Sequence, residues 1–150
     1  MKARRKAGVL RVDLTGTEAG LLAGLLDELA AALTEPDPDD PVIRRLYPDG
    51  YTDDPDASRE FSELVRADLR AERGGRLEQC RAQLPPGGGR MQLDAEATDR
   101  WLRVLNDLRL ALGTRIGVTE EAELDGDQPA VQIYDWLTAV QDLLLVQVMP

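Results

Sequence analysis

Leucine and valine recur every three or four positions over long stretches of this chain, and short runs rich in Pro, Gly and Asp separate those stretches. That spacing predicts amphipathic helices joined by loops. The first stripe holds Leu22, Leu25, Leu26, Leu29 and Leu33; Thr15 precedes it, and Glu18 three residues later completes a capping box. Pro36, Pro38 and Pro41 stop this helix near Glu35. Asp40 before Pro41, and Asp54 before Pro55, each join a capping side chain to a proline suited to the first helical position. They open a short helix carrying Val42, Ile43 and Leu46 inward and a longer one presenting Phe61, Leu64, Val65 and Leu69 on one face. Leu77, Cys80 and Leu84 resume the pattern beyond Gly74-Gly75, which predicts one long helix, kinked or frayed at the glycines. Asp94 caps the next helix, whose stripe is Trp101, Leu102, Leu105, Leu108 and Leu112, with Gly113 as its left-handed exit. A last helix from about Pro129 presents Ile133, Trp136, Leu137, Val140, Leu144 and Val148.

Two segments break the helical period. Residues 8–14, GVLRVDL, alternate apolar and polar positions, and residues 90–93, RMQL, follow the turn-rich PPGGG. These are expected to pair as a short two-stranded β ribbon. The fold class is therefore mainly α: a compact bundle of about five helices in a single domain spanning residues 8–150, preceded by a basic flexible arm at residues 1–7. A chain of 150 residues suffices for one real core, and with 43% hydrophobic but only 4% aromatic residues, Leu, Ala and Val must fill it.

Charge changes the picture of the surface. The chain carries 28 acidic and 18 basic residues, a formal charge of −10, and such a body repels phosphate backbones unless its cations are gathered. Lys2, Arg4, Arg5 and Lys6 are gathered, leaving 14 basic residues against 28 acidic ones after residue 6. Nucleic acid or an acidic protein surface would suit them. A solvated terminus is the preferred reading, because four charges bind weakly and salt-sensitively, and direct DNA binding stays open.

The chemistry is narrow. Histidine is absent, which removes the usual neutral-pH general base and the commonest zinc ligand. Cys80 is the single cysteine, so no intramolecular disulfide or Cys-x-x-Cys site exists, and a reducing cytoplasm is the expected location. No apolar run approaches the roughly 20 residues that span a bilayer, and no export signal is read at the start. Gly87-Gly88-Gly89 lacks the Lys-Ser/Thr of a phosphate loop and reads as linker; the Asp-rich loops lack the spacing of a calcium loop. No catalytic residue, metal or cofactor is expected.

Cys80 is the one redox candidate. Neighbouring Arg76 and Arg81 would favour its thiolate if the sulfur is exposed, but its place on the Leu77–Leu84 face favours a buried, inert thiol. Among polar residues, Asn106, Arg109, Arg115 and Asp135 are expected to meet across the last two helices, as a structural pair or as an anion or peptide site. Asp99 with Arg103, and Arg103 with Asp107, read as ordinary surface pairs four residues apart.

Three segments together carry a family resemblance: WLRVLNDLRLALGTRIGV at Trp101–Val118, RLYPDGYTDDPDAS at Arg45–Ser58, and YDWL at Tyr134–Leu137. In this order the chain resembles, over nearly its whole length, the actinobacterial oxidative stress regulator (AosR-like) family, formerly a domain of unknown function. The resemblance implies a regulator of transcription under oxidative stress that associates with a sigma factor or other transcription component and influences cysteine-biosynthesis genes. The acidic surface is compatible with a basic protein partner. The alternative is an adaptor or scaffold in protein handling. Leu21 beside Leu22, and Leu143 to Val146, leave apolar side chains facing outward, so homo-oligomerisation is expected.

Overall fold

The capping box at Thr15 forms in full in the computed structural model, which describes residues 1–47, 55–117, 126 and 128–149, with side chains omitted for residues 55–62. The backbone N–H of Glu18 donates to Thr15 Oγ1 at 3.1 Å, and Thr15 N–H donates to Glu18 Oε1 at 2.9 Å. Helix α1 (Gly16–Thr34) starts there and buries Leu22, Leu26, Leu29 and Leu33. Asp40 likewise caps α2 (Pro41–Leu46), accepting from Val42 N–H at 2.9 Å, and Val42, Ile43 and Leu46 turn inward. Each such leucine stabilises by about 2 kcal/mol through burial, before conformational entropy is subtracted.

Helix α3 (Pro55–Gln83) runs through Gly74 and Gly75 without a break. Its C-terminal half packs Leu77 and Cys80 into the core. Its N-terminal half presents Leu64, Val65 and Leu69 to solvent, Leu64 being 70% exposed. Asp54, expected to cap this helix, and the Phe61 side chain lie outside the described residues. Helix α4 (Ala95–Ile116) begins on Asp94, which accepts from Ala97 N–H at 2.8 Å. It is the central element, contacting α1, α2, α3, the sheet and α5 (Pro129–Val148). Trp101, Val104, Leu105 and Leu108 are buried along it. Its exit is Gly117, at φ +76°, rather than Gly113. The Thr114 hydroxyl donates to the Leu110 carbonyl at 2.7 Å, and the helix runs one turn further, with Gly113 buried inside it.

The expected two-stranded ribbon is a three-stranded antiparallel sheet in the order β1-β2-β3. Strands β2 (Val9–Leu14) and β3 (Gly89–Leu93) pair with Leu10 opposite Leu93 and Val12 opposite Met91, all four buried. The basic arm is the third strand. Residues Lys2–Lys6 form β1, and Ala7 (φ +54°) with Gly8 (φ +79°) closes a two-residue hairpin onto β2. Two consecutive positive φ values are what the right-handed twist of paired strands demands of such a turn. The Met1 amino group donates to Glu18 Oε2 at 2.6 Å, so one carboxylate both completes the α1 cap and anchors the start of β1. Ala3 packs against the core, and α5 lies against β1.

The glycine triplet is packed rather than a linker. A Cβ on Gly88 (φ +93°) would stand 2.6 Å from Gly16 N and 2.8 Å from Thr15 C. The chain therefore crosses the start of α1 at a distance only glycine permits.

Candidate functional site

Cys80 sits in the core with no exposed surface. Burial pushes its thiol up to about 12, against the pull of the Arg100 and Arg76 guanidinium groups. Arg81, its neighbour in sequence, instead donates to Asp27 of α1 at 3.1 Å. A thiol so placed stays protonated at neutral pH and is closed to peroxide, because the thiolate is the nucleophile.

Beside it, a polar seam joins α3 to α4. Asp107 is buried, and Arg73 donates to its Oδ2 at 3.0 Å. The Arg73 guanidinium also lies 4.8 Å from the centre of the Tyr47 ring, so the end of α2, α3 and α4 meet at one ion pair. Burial raises the Asp107 carboxyl above its ordinary value, opposed by Arg73, Arg76 and Arg103. The four-residue spacing from Arg103 predicts Asp107 as its surface partner. In the fold Arg103 pairs with Asp99 at 2.9 Å, while Asp107 faces inward one turn later.

The structure does not bring Asn106, Arg109, Arg115 and Asp135 together. Arg109 donates to Gln141 Oε1 and lies 5.6 Å from the Tyr134 ring centre, linking α4 to α5. Arg115 pairs with Glu28 of α1 at 3.3 Å, and Asn106 and Asp135 are exposed. The group is thus dispersed over several contacts that join helices. Among the described residues, no cluster of three or more His, Cys, Asp or Glu side chains could hold a metal ion.

Positive charge gathers on the outward face of the sheet. Alternation along β2 buries Leu10, Val12 and Leu14 and turns Val9, Arg11 and Asp13 outward. The register then sets Lys2 and Arg90 on either side of Asp13, Arg4 and Gln92 on either side of Arg11, and Lys6 against Val9. Arg90 grips Asp13 through Nε at 2.8 Å and Nη2 at 3.4 Å. That contact holds the Asp13 carboxyl below its ordinary value. Five of the eighteen basic residues thus share one small face with one of the 28 acidic ones. Arg5, on the same strand, points to the other face, beside Asp99 and Leu102. Sequence reasoning noticed the β1 cations but missed Arg11 and Arg90, which only the register adds to them.

A family model described as a domain of unknown function (DUF2017) matches residues 1–148. The chain belongs to the DUF2017 family. It is 30% identical over 163 aligned positions to proteins named oxidative stress regulator AosR from Mycobacterium bovis and Mycobacterium tuberculosis, covering 87% of this chain and 75% of each relative. No solved structure matches it. Of the three segments that carry the family resemblance, two lie on α4 and α5 and supply packing surface, while positions 48–54 of the third lie outside the described residues. Trp101, Leu105 and Leu108 form the buried side of α4, and Leu137 of YDWL is buried on α5. Among the described residues, no helix is long and apolar enough to cross a membrane.

Proposed function

We propose that this chain is a non-enzymatic regulator in the oxidative-stress response that acts through contacts with other proteins. Its partner is a sigma factor or another transcription component, and cysteine-biosynthesis genes are among those it influences. The observation that carries the reading is the similarity, over 87% of this chain, to proteins named as oxidative stress regulators. The surface supports it. Apart from the sheet face, 27 acidic residues stand against 13 basic ones, which suits a basic protein partner. Leu64 and Leu69 on α3, and Val146 and Met149 at the end of α5, are exposed. They offer apolar anchors for a partner or a second copy of the chain.

With Cys80 enclosed, the oxidative signal reaches this protein through its partner and not through its own thiol. Deleting the gene should lower survival under peroxide and blunt the induction of cysteine-biosynthesis transcripts. Both should return with the wild-type chain and equally with Cys80→Ala. Unchanged survival and transcripts in the deletion strain would reject the proposal.

A further inference from the structure

We propose that the outward face of the β1-β2-β3 sheet binds the phosphate backbone of duplex DNA, without regard to base sequence. On a chain of formal charge −10, Lys2, Arg4, Lys6, Arg11 and Arg90 converge on this face, and Asp13 is the one acid among its paired strand residues. Arg90 engages Asp13, while Arg4, Lys6 and Arg11 have no ion-pair partner among the described residues.

Folding alone does not favour this arrangement. Arg4 and Arg11 stand directly opposite each other across the ladder, where like charges repel and destabilise a sheet. Lysines on an edge strand do discourage unwanted strand pairing, and that would account for β1. It does not account for Arg11, which lies on the central strand. An anion laid across the face would relieve this repulsion.

The geometry selects the kind of anion. Lys2, Arg4 and Lys6 recur about every 6.8 Å along an extended strand, and the neighbouring strand lies about 4.8 Å away. Cations so spaced can each take a separate phosphate of a continuous backbone. Because β1 is held at one end by Met1 on Glu18 and at the other by the hairpin, no arm needs to be ordered on binding. The face carries no aromatic side chain, so it lacks the stacking platform that holds single strands. Contacts confined to phosphates position a protein on DNA but do not read sequence. The acidic remainder of the surface repels a second contact and so fixes which side faces the duplex.

The test is fluorescence anisotropy with a short labelled duplex and the purified chain over a salt series. Phosphate contacts from Lys2, Arg4, Lys6 and Arg11, the four cations of the face outside the Arg90–Asp13 pair, give a slope of log K against log salt of about −3.6, an affinity loss of roughly 100-fold between 50 and 200 mM salt. The double variant Arg4→Ser/Arg11→Ser should flatten the slope by about 2, leaving roughly a tenfold loss over the same range. It should also melt no lower than the wild type, because an opposed like-charge pair has been removed. Arg5→Ser, which deletes a cation from the same strand but the other face, should leave the slope unchanged. The proposal is overturned if no binding is seen at low salt, if the double variant keeps the wild-type slope, or if Arg5→Ser flattens it equally. Polyglutamate displacing the duplex at equal charge concentration would assign the face to an acidic protein and overturn it as well.

Discussion

Replacing Cys80 by serine exchanges a sulfur for a hydroxyl where nothing is exposed to water. A buried hydroxyl without a hydrogen-bond partner costs about 1–3 kcal/mol. Cys80→Ala leaves only a small void and should cost about 1 kcal/mol. The order, serine worse than alanine, marks an apolar site. With urea m-values of about 1–3 kcal/mol/M for small proteins, the serine variant should lose roughly 1 M in its unfolding midpoint at unchanged m. Reactivity gives a second reading of the same site. With the thiol pushed up to about 12, roughly one molecule in 10⁵ is thiolate at pH 7. A chromogenic disulfide reagent should therefore label the native chain only as fast as the core opens, and label it promptly in denaturing urea. Stoichiometric labelling within seconds in native buffer, or a serine variant within about 0.5 kcal/mol of wild type, would refute the reasoning and return Cys80 to candidacy as a peroxide sensor.

Further predictions concern the backbone and the polar seam. Gly88→Ala forces a Cβ to 2.6 Å from Gly16 N at φ +93° and should cost at least about 3 kcal/mol. Gly75→Ala, in open space within α3, should gain up to about 1 kcal/mol; paired thermal melts check both. Ala7→Asn should raise stability by about 0.5–1 kcal/mol, because asparagine tolerates the left-handed turn position better than alanine. Asp107→Ala strands the Arg73 guanidinium, whose side chain is only 17% exposed, and should cost about 3 kcal/mol. The pH dependence of Asp107 has the reverse of the usual carboxylate sign. Its folded carboxyl lies above 3.8, so the native state binds the extra proton. Its contribution to stability should therefore fall as pH rises from 3.8 through the folded value and stay level above it. Urea melts of Asp107→Asn across that window should lack this component.

The helices were legible because each carries a local start signal and an apolar period. Thr15 with Glu18, Asp40 with Pro41, and Asp94 all cap where expected. Strand β1 was not legible. On its outward face it reads Lys2, Arg4, Lys6, on its inward face Ala3 and Arg5, and its turn is Ala7-Gly8 in place of the Asn-Gly or Asp-Gly that marks such hairpins. No apolar alternation announces it, and pairing with β2 alone makes it a strand. Asp107 was misread for a related reason. Two arginines compete for it, Arg103 four residues before it on its own helix and Arg73 on another, and only the packing of α3 on α4 decides between them. The enclosed Cys80 followed from its helical face, whereas the cationic face of the sheet required the strand register and could not be assembled from residues as distant as Lys2 and Arg90.

The most direct test of regulation through protein contacts is affinity capture of the tagged full chain from its own cells, before and after peroxide, with quantification of co-purifying proteins. The account predicts stoichiometric enrichment of a sigma factor or another transcription component, with Cys80→Ala capturing as much as wild type. Enrichment of only chaperones or proteases, or loss of the transcription partner in the Cys80→Ala variant, would contradict it.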